Sequence, residues 1–90
     1  MQREYRGSKI IKDCEEEIKV DYYLIADSKI FSDESSPRRT YGVEIVENDK
    51  ECELVQDVSL DEDATLEIID TLRRNEVLPI HLHDIIEDLL

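Results

Sequence analysis

The chain has 90 residues, of which 24 are acidic and 11 basic, for a formal net charge of −13. This length supports one domain, 1–90, that hides only about 60–65 % of the surface its unfolded form exposes. The acidic excess runs through both the first 60 residues and the last 30; it repels nucleic-acid phosphates and anionic lipid alike, so neither nucleic acid nor a membrane is an expected partner.

Leu, Ile, Val and Phe make up about 30 % of the chain, above the roughly 20 % level below which disorder is expected, so a folded core is predicted. The start, "MQREYRGSK", is polar, and Cys14 and Cys52 stand far apart without metal or redox spacing. The expectation is a cytoplasmic protein with two free thiols. Residues 1–17 are read as either loosely ordered or a weak first strand: Ile10, Ile11 and Cys14 are apolar, but "CEEE" breaks any alternation. From Ile18 the period of two is strict. Ile18, Val20, Tyr22, Leu24 and Ala26 fall on one side, Lys19, Asp21, Tyr23, Ile25 and Asp27 on the other, the pattern of a half-buried strand. "SDESSPRR" (Ser32–Arg39) is a loop by its turn residues.

"TYGVEIV" and "CELVQDV" then read as a hairpin. A two-residue turn at Asn48-Asp49 would pair Val43 with Leu54 and Ile45 with Cys52, placing the apolar side chains on one face. The opposite face would set Glu44 against Glu53. The sheet is thus expected over 18–58. In "SLDE", Ser59 and Glu62 have the spacing of a capping box, and Ala64, Ile68, Ile69 and Leu72 form an amphipathic stripe that ends near Arg74 with Asn75 as the stop. Pro79 suits the first turn of a second helix, with Val77 and Leu82 as the staple pair and an apolar stripe at Leu82, Ile85, Ile86 and Leu89. Strands first and helices last predict an α+β fold: an antiparallel sheet of three or four strands, with two short C-terminal helices (59–90) packed on one face.

"TYGVEIV" and the closing "RNEVLPIHLHDIIEDLL" resemble signature stretches of a family of small uncharacterised proteins from clostridia and related Gram-positive bacteria, a domain of unknown function. The likeness runs from Tyr22 to the C-terminus and is most specific at Asn75, Val77, Pro79, His81, Leu82, Asp84, Ile85, Ile86, Glu87 and Asp88. It implies a bacterial cytosolic protein and no activity; His83 and the long loop Ser32–Arg39 fall outside it.

The chemistry-bearing residues are few. His81 and His83 would share a cation on a strand, but on a helix they stand about 200° apart. His83 and Glu87 have better spacing, yet zinc needs three or four ligands, so His81, His83 and Glu87 are kept as an alternative metal site and no cofactor is expected. His81 is instead expected at the helix start, bonding back toward the cap. No nucleophile stands beside a base, and only Gly7 and Gly42 are available for a phosphate loop, so an enzyme is not expected. The candidate interaction surface is the sheet face away from the helices, with Tyr23, Ile25, Glu44, Val46, Glu53 and Val55. A small acidic interaction or regulatory module, with a protein partner or as a homodimer, is the expectation; an acidic mimic of nucleic acid that occupies a basic protein is the alternative.

Overall fold

The computed structural model of the chain describes residues 2–13, 15–29 and 38–89. Four antiparallel strands, β1 (Gln2–Asp13), β2 (Glu16–Lys29), β3 (Arg38–Glu47) and β4 (Glu51–Ser59), form one sheet in sequence order. Helix α1 (Glu62–Arg74), a 3-10 turn (Pro79–His81) and helix α2 (Leu82–Leu89) follow. The strict alternation of β2 is used as written. Val20, Tyr22 and Leu24 join Val43 and Ile45 of β3 on one face, and Ile69, Leu72, Val77, Leu82 and Ile86 close over them. Each such fully buried aliphatic side chain contributes about 1.5–3 kcal/mol. The α+β expectation is met, with the helices on one side of the sheet.

The first strand is well formed from Gln2 to Asp13. Its pattern is hidden in the sequence because the pairing with β2 slips between Tyr5 and Ser8, around Gly7 with φ +121°, where an added Cβ would lie 3.1 Å from Arg73 Cδ. Such a bulge shifts which residues share a face halfway along the strand. Past it, β1 and β2 outrun β3: Asn48, the first residue of the next turn, still bonds Lys19 through its backbone N–H (2.8 Å) and its Oδ1 (2.9 Å). Beyond that point Ile11–Ile18, Lys12–Glu17 and Asp13–Glu16 pair with no third strand beside them among the described residues. This two-stranded arm rests on the core through Ile11 and Ile18.

The β3–β4 register differs from the expected one by a single residue. Asn48 (φ 50°) and Asp49 (φ 59°) do take the left-handed turn, and Lys50 N–H reaches the Glu47 carbonyl at 3.0 Å. The ladder, however, resumes at Glu47–Glu51, leaving Lys50 as an extra residue, so Val43 meets Val55 and Ile45 meets Glu53. One residue of slip turns every side chain of a strand over. Glu53 and Val55 therefore lie on the helix side, while Cys52 and Leu54 take the other. A second irregularity, between Tyr41 and Val43, brings Ser59 opposite Tyr41, with Asp57 at φ 58°.

Because Ser59 is still the last residue of β4, the expected capping box does not form. Asp61 is the cap: its Oδ1 accepts from Asp63 N–H (2.9 Å) and Ala64 N–H (3.5 Å), while Ser59 Oγ accepts from Asp61 N–H. Aspartate caps as well as serine does. Helix α1 buries Thr65, Ile69 and Leu72. The segment Ser32–Arg39 was expected to be a loop, but its last two residues, Arg38 and Arg39, open β3; the rest of it, with Cys14, lies outside the described residues.

Helix α1 ends at Arg74, with Asn75 as its C-cap. Glu76 N–H donates to the Arg73 carbonyl (3.1 Å) and Val77 N–H to that of Leu72 (3.0 Å), the paired bonds of a Schellman motif, with Val77 and Leu72 as its buried apolar contact. The residue in the left-handed position is Glu76, φ 54°, where glycine would carry no Cβ strain. Its carboxylate also lies at the negative end of the helix. Glu76→Gly is expected to stabilise the fold by about 0.5–1 kcal/mol, read as a rise of a few degrees in Tm.

This turn anchors a buried hydroxyl of the core. Tyr22 Oη donates to the Val77 carbonyl at 3.0 Å. Burial, then the nearby Glu76 carboxylate, pushes the phenol up to about 12, with Arg73 opposing. An unfolded Tyr22 ionises near 10, so as pH rises the unfolded chain loses its proton first. The stabilisation is complete below pH 10 and is lost as pH climbs from 10 to 12, by ~2–3 kcal/mol. Urea midpoints at about pH 9 and about pH 11.5 check this. Tyr22→Phe should lack that part of the alkaline loss, while costing about 1–2 kcal/mol at neutral pH because the Val77 carbonyl loses its donor.

Candidate functional site

The sheet face away from the helices was the predicted surface, and its register decides which residues it carries. Tyr23, Ile25, Glu44 and Val46 are there; Glu53 and Val55 are not, having turned to the helix side with the slip of β4. Glu44 stands opposite Leu54 rather than Glu53, so the two carboxylates expected side by side are on different faces.

The charge of Glu44 is met from β1. Arg3 Nε lies 2.5 Å from Glu44 Oε1, and its guanidinium carbon sits 3.7 Å from the Tyr23 ring centroid, a cation–π contact that holds the planar group over the strand. Tyr5 packs edge-on against Tyr23 with centroids 5.7 Å apart. Further along, the Tyr5 and Ser8 hydroxyls meet, and Ser8 Oγ donates to Asp21 Oδ1. Asp21, only 3 % exposed, also has Lys19 Nζ at 3.9 Å, so its buried carboxylate is not left unpaired.

This network closes the face. Ile25 is 2 % exposed and Val46 is also buried, so the apolar part of the predicted patch is not open to a partner. What remains exposed lies at the β1 edge. Tyr5 (56 %) and Ile10 (53 %) are among the few large apolar side chains in solvent. Both lie on the face away from the helices, opposite Tyr23 and Lys19. Sequence reading missed this edge because it needed the bulge at Gly7. The alternation Arg3-x-Tyr5 and then Ser8-x-Ile10-x-Lys12 is visible only once a two-residue skip between Tyr5 and Ser8 is allowed.

The C-terminal histidines go separate ways. His81 is exposed in the 3-10 turn, where its backbone N–H donates to the Leu78 carbonyl (3.0 Å) but no side chain caps the turn. It therefore sits at the helix start as expected, by backbone rather than imidazole. His83 Nε2 lies 2.6 Å from Glu53 Oε1, so its partner is on β4 and not Glu87, a contact that only the observed register allows. Among the described residues no three of His, Cys, Asp and Glu gather in a way that could hold a metal ion. Cys52 is a free, exposed thiol.

A depression of about 520 Å3 lies at the other end of the helix face, with Leu24, Ala26 and Tyr41 below Glu4, Arg39 and Glu62. Arg39 there donates to Gln2 Oε1 at 2.7 Å, and the rim carries both signs of charge. No described helix is long and apolar enough to cross a membrane.

No curated protein and no solved structure is similar to the chain at a significant level. The model of a family of unknown function, DUF6514, matches it across residues 1–90, and the chain belongs to that family.

Proposed function

We propose that this is a small cytosolic interaction module without catalytic activity, which engages a protein partner through the outer edge of β1. One observation carries the reading: in a chain of net charge −13, this 12-residue edge strand holds four basic residues (Arg3, Arg6, Lys9, Lys12) against two acidic ones and exposes Tyr5 and Ile10. An edge strand has unpaired backbone donors and acceptors, and added strands use them. Lysines and a bulge also serve to blunt edges; two large exposed apolar side chains do not.

The test compares the full chain with an Ile10→Glu/Lys12→Glu variant as bait. A protein held by the wild type through a wash at about 0.5 M salt, and lost from the variant, is the expected result, because short-range strand pairing resists screening. A partner held equally by both, or none, overturns the reading. The charge itself favours a second reading, the acidic nucleic-acid mimic. Capture of a basic protein that collapses between about 0.05 and 0.5 M salt, and is indifferent to the β1 variant, would select it.

A further inference from the structure

We propose that the outer edge of β1 docks a second copy of this chain, the two β1 strands pairing antiparallel about a two-fold axis normal to the sheet, with Ile11 opposite its counterpart. The inference rests on the reading of β1 as the interaction edge, and it names the occupant.

Stability of the arm is the first argument. Residues Ile11–Asp13 and Glu16–Ile18 form a two-stranded ribbon with no third strand among the described residues, and such a ribbon is marginal in water until it gains further strands. In this register Ile11–Asp13 of each arm lies along Lys9–Ile11 of the other copy, so each arm gains on its open side a strand that is itself backed by β2. The helices of both copies stay on the same side, because a two-fold axis normal to the sheet preserves its faces.

Charge is the second. Among the strands and helices, β1 alone has more basic than acidic residues. Two molecules of −13 therefore approach with least repulsion along it. The other edge, β4, carries Glu51, Glu53 and Asp57 and no basic residue, so a symmetric contact there would set like charges together. Pairing β1 of one copy with β4 of another would leave open edges and grow without closing.

The third is the segment's own complementarity. Read antiparallel about Ile11, "SKIIKD" (Ser8–Asp13) brings Lys9 opposite position 13 of the second copy, an aspartate, and does so twice. Ile10 comes opposite Lys12, whose methylenes can cover it. Neither Lys9 nor Lys12 forms an ion pair with any described residue, so these charges are available. The straight part of β1 after the bulge contains the whole contact, Lys9–Asp13.

The experiment is sedimentation equilibrium on the full chain, on Lys9→Glu, on Asp13→Lys, and on an equal mixture of the two variants. The wild type is expected to dimerise. Each variant alone sets two pairs of like charge across the axis and should dimerise about tenfold more weakly or worse, while the mixture restores both pairs of opposite charge and the association with them. A variant that merely failed to fold would not be rescued by mixing, so the mixture keeps the test sound. A wild type that stays monomeric up to about 1 mM, single variants that associate as the wild type does, or species that grow beyond a dimer each overturn the proposal. A monomeric chain that still holds a protein partner through β1 overturns the dimer and leaves the function proposed above. A dimer that holds no other protein keeps this inference and makes the second copy the partner of the function proposed above; a monomeric chain that holds no protein overturns both.

Discussion

Gly42→Ala is expected to destabilise the protein by ~2–4 kcal/mol. A Cβ at Gly42 would stand 2.4 Å from the Val55 carbonyl oxygen and 3.0 Å from Gln56 Cα. Both obstacles are backbone, so no rotamer change relieves the clash. The close approach arises where the β3–β4 pairing slips between Tyr41 and Val43, and separating the strands there would break the ladder that positions β4. A domain of 90 residues has a total stability of only about 5–13 kcal/mol. The variant should therefore show a large drop in urea midpoint with little change in slope. An unchanged midpoint would mean that β4 does not pass over Gly42 in this register.

The second large effect is expected from Leu82→Ala, at ~3–4 kcal/mol. Leu82 is fully buried and is the first residue of α2, which has only eight. A helix so short does not hold by its own hydrogen bonds, and its seat on the sheet depends on Leu82 and Ile86. Leu89, at the far end of the same stripe, is 46 % exposed, so Leu89→Ala should cost no more than about 0.5 kcal/mol. Chemical denaturation of the two variants side by side checks both. Comparable losses would mean that α2 lies on the sheet along its whole stripe rather than through its first turn and Ile86.

The contrast between those two leucines marks what periodicity can and cannot say. The stripe at Leu82, Ile85, Ile86 and Leu89 identified the helix and its apolar side, yet gave no measure of how far the sheet beneath it extends. The central strand was legible for a simple reason: Val20, Tyr22 and Leu24, one side of the alternation, are the residues buried against the helices, although Asp21 and Ile25 on the other side are covered as well. Strand β4 was not. Glu53, Leu54 and Val55 are all half-buried, and where neither face is fully covered a hydrophobic pattern cannot choose between them. The turn residues Asn48 and Asp49 were recognised correctly, but the bonds of Asn48 to Lys19 come from a strand 29 residues away and decide the offset. The predicted surface suffered accordingly, keeping Tyr23, Ile25, Glu44 and Val46 and losing Glu53 and Val55. The arginine that neutralises Glu44 was out of reach of pattern reading because β1 hides its alternation behind Gly7. A serine and an aspartate two residues apart, Ser59 and Asp61, both qualify as caps, and the length of β4 selected the second.

The solitary hairpin beyond Asn48 bears on how the molecule breathes. Its amides at Ile11–Asp13 and Glu16–Ile18 are held by one neighbour, and with Ile11 and Ile18 as its contacts with the core the hairpin opens more easily than the layer beneath α1, so these amides should exchange with solvent deuterium by local fluctuation. Those of Tyr22 and Leu24, flanked by strands on both sides, should exchange only when the whole domain unfolds. If the β1 strands of two molecules do lie together, the Ile11–Asp13 amides should become protected as concentration rises, so the fastest-exchanging strands would be the ones whose rates depend on how many molecules share the tube.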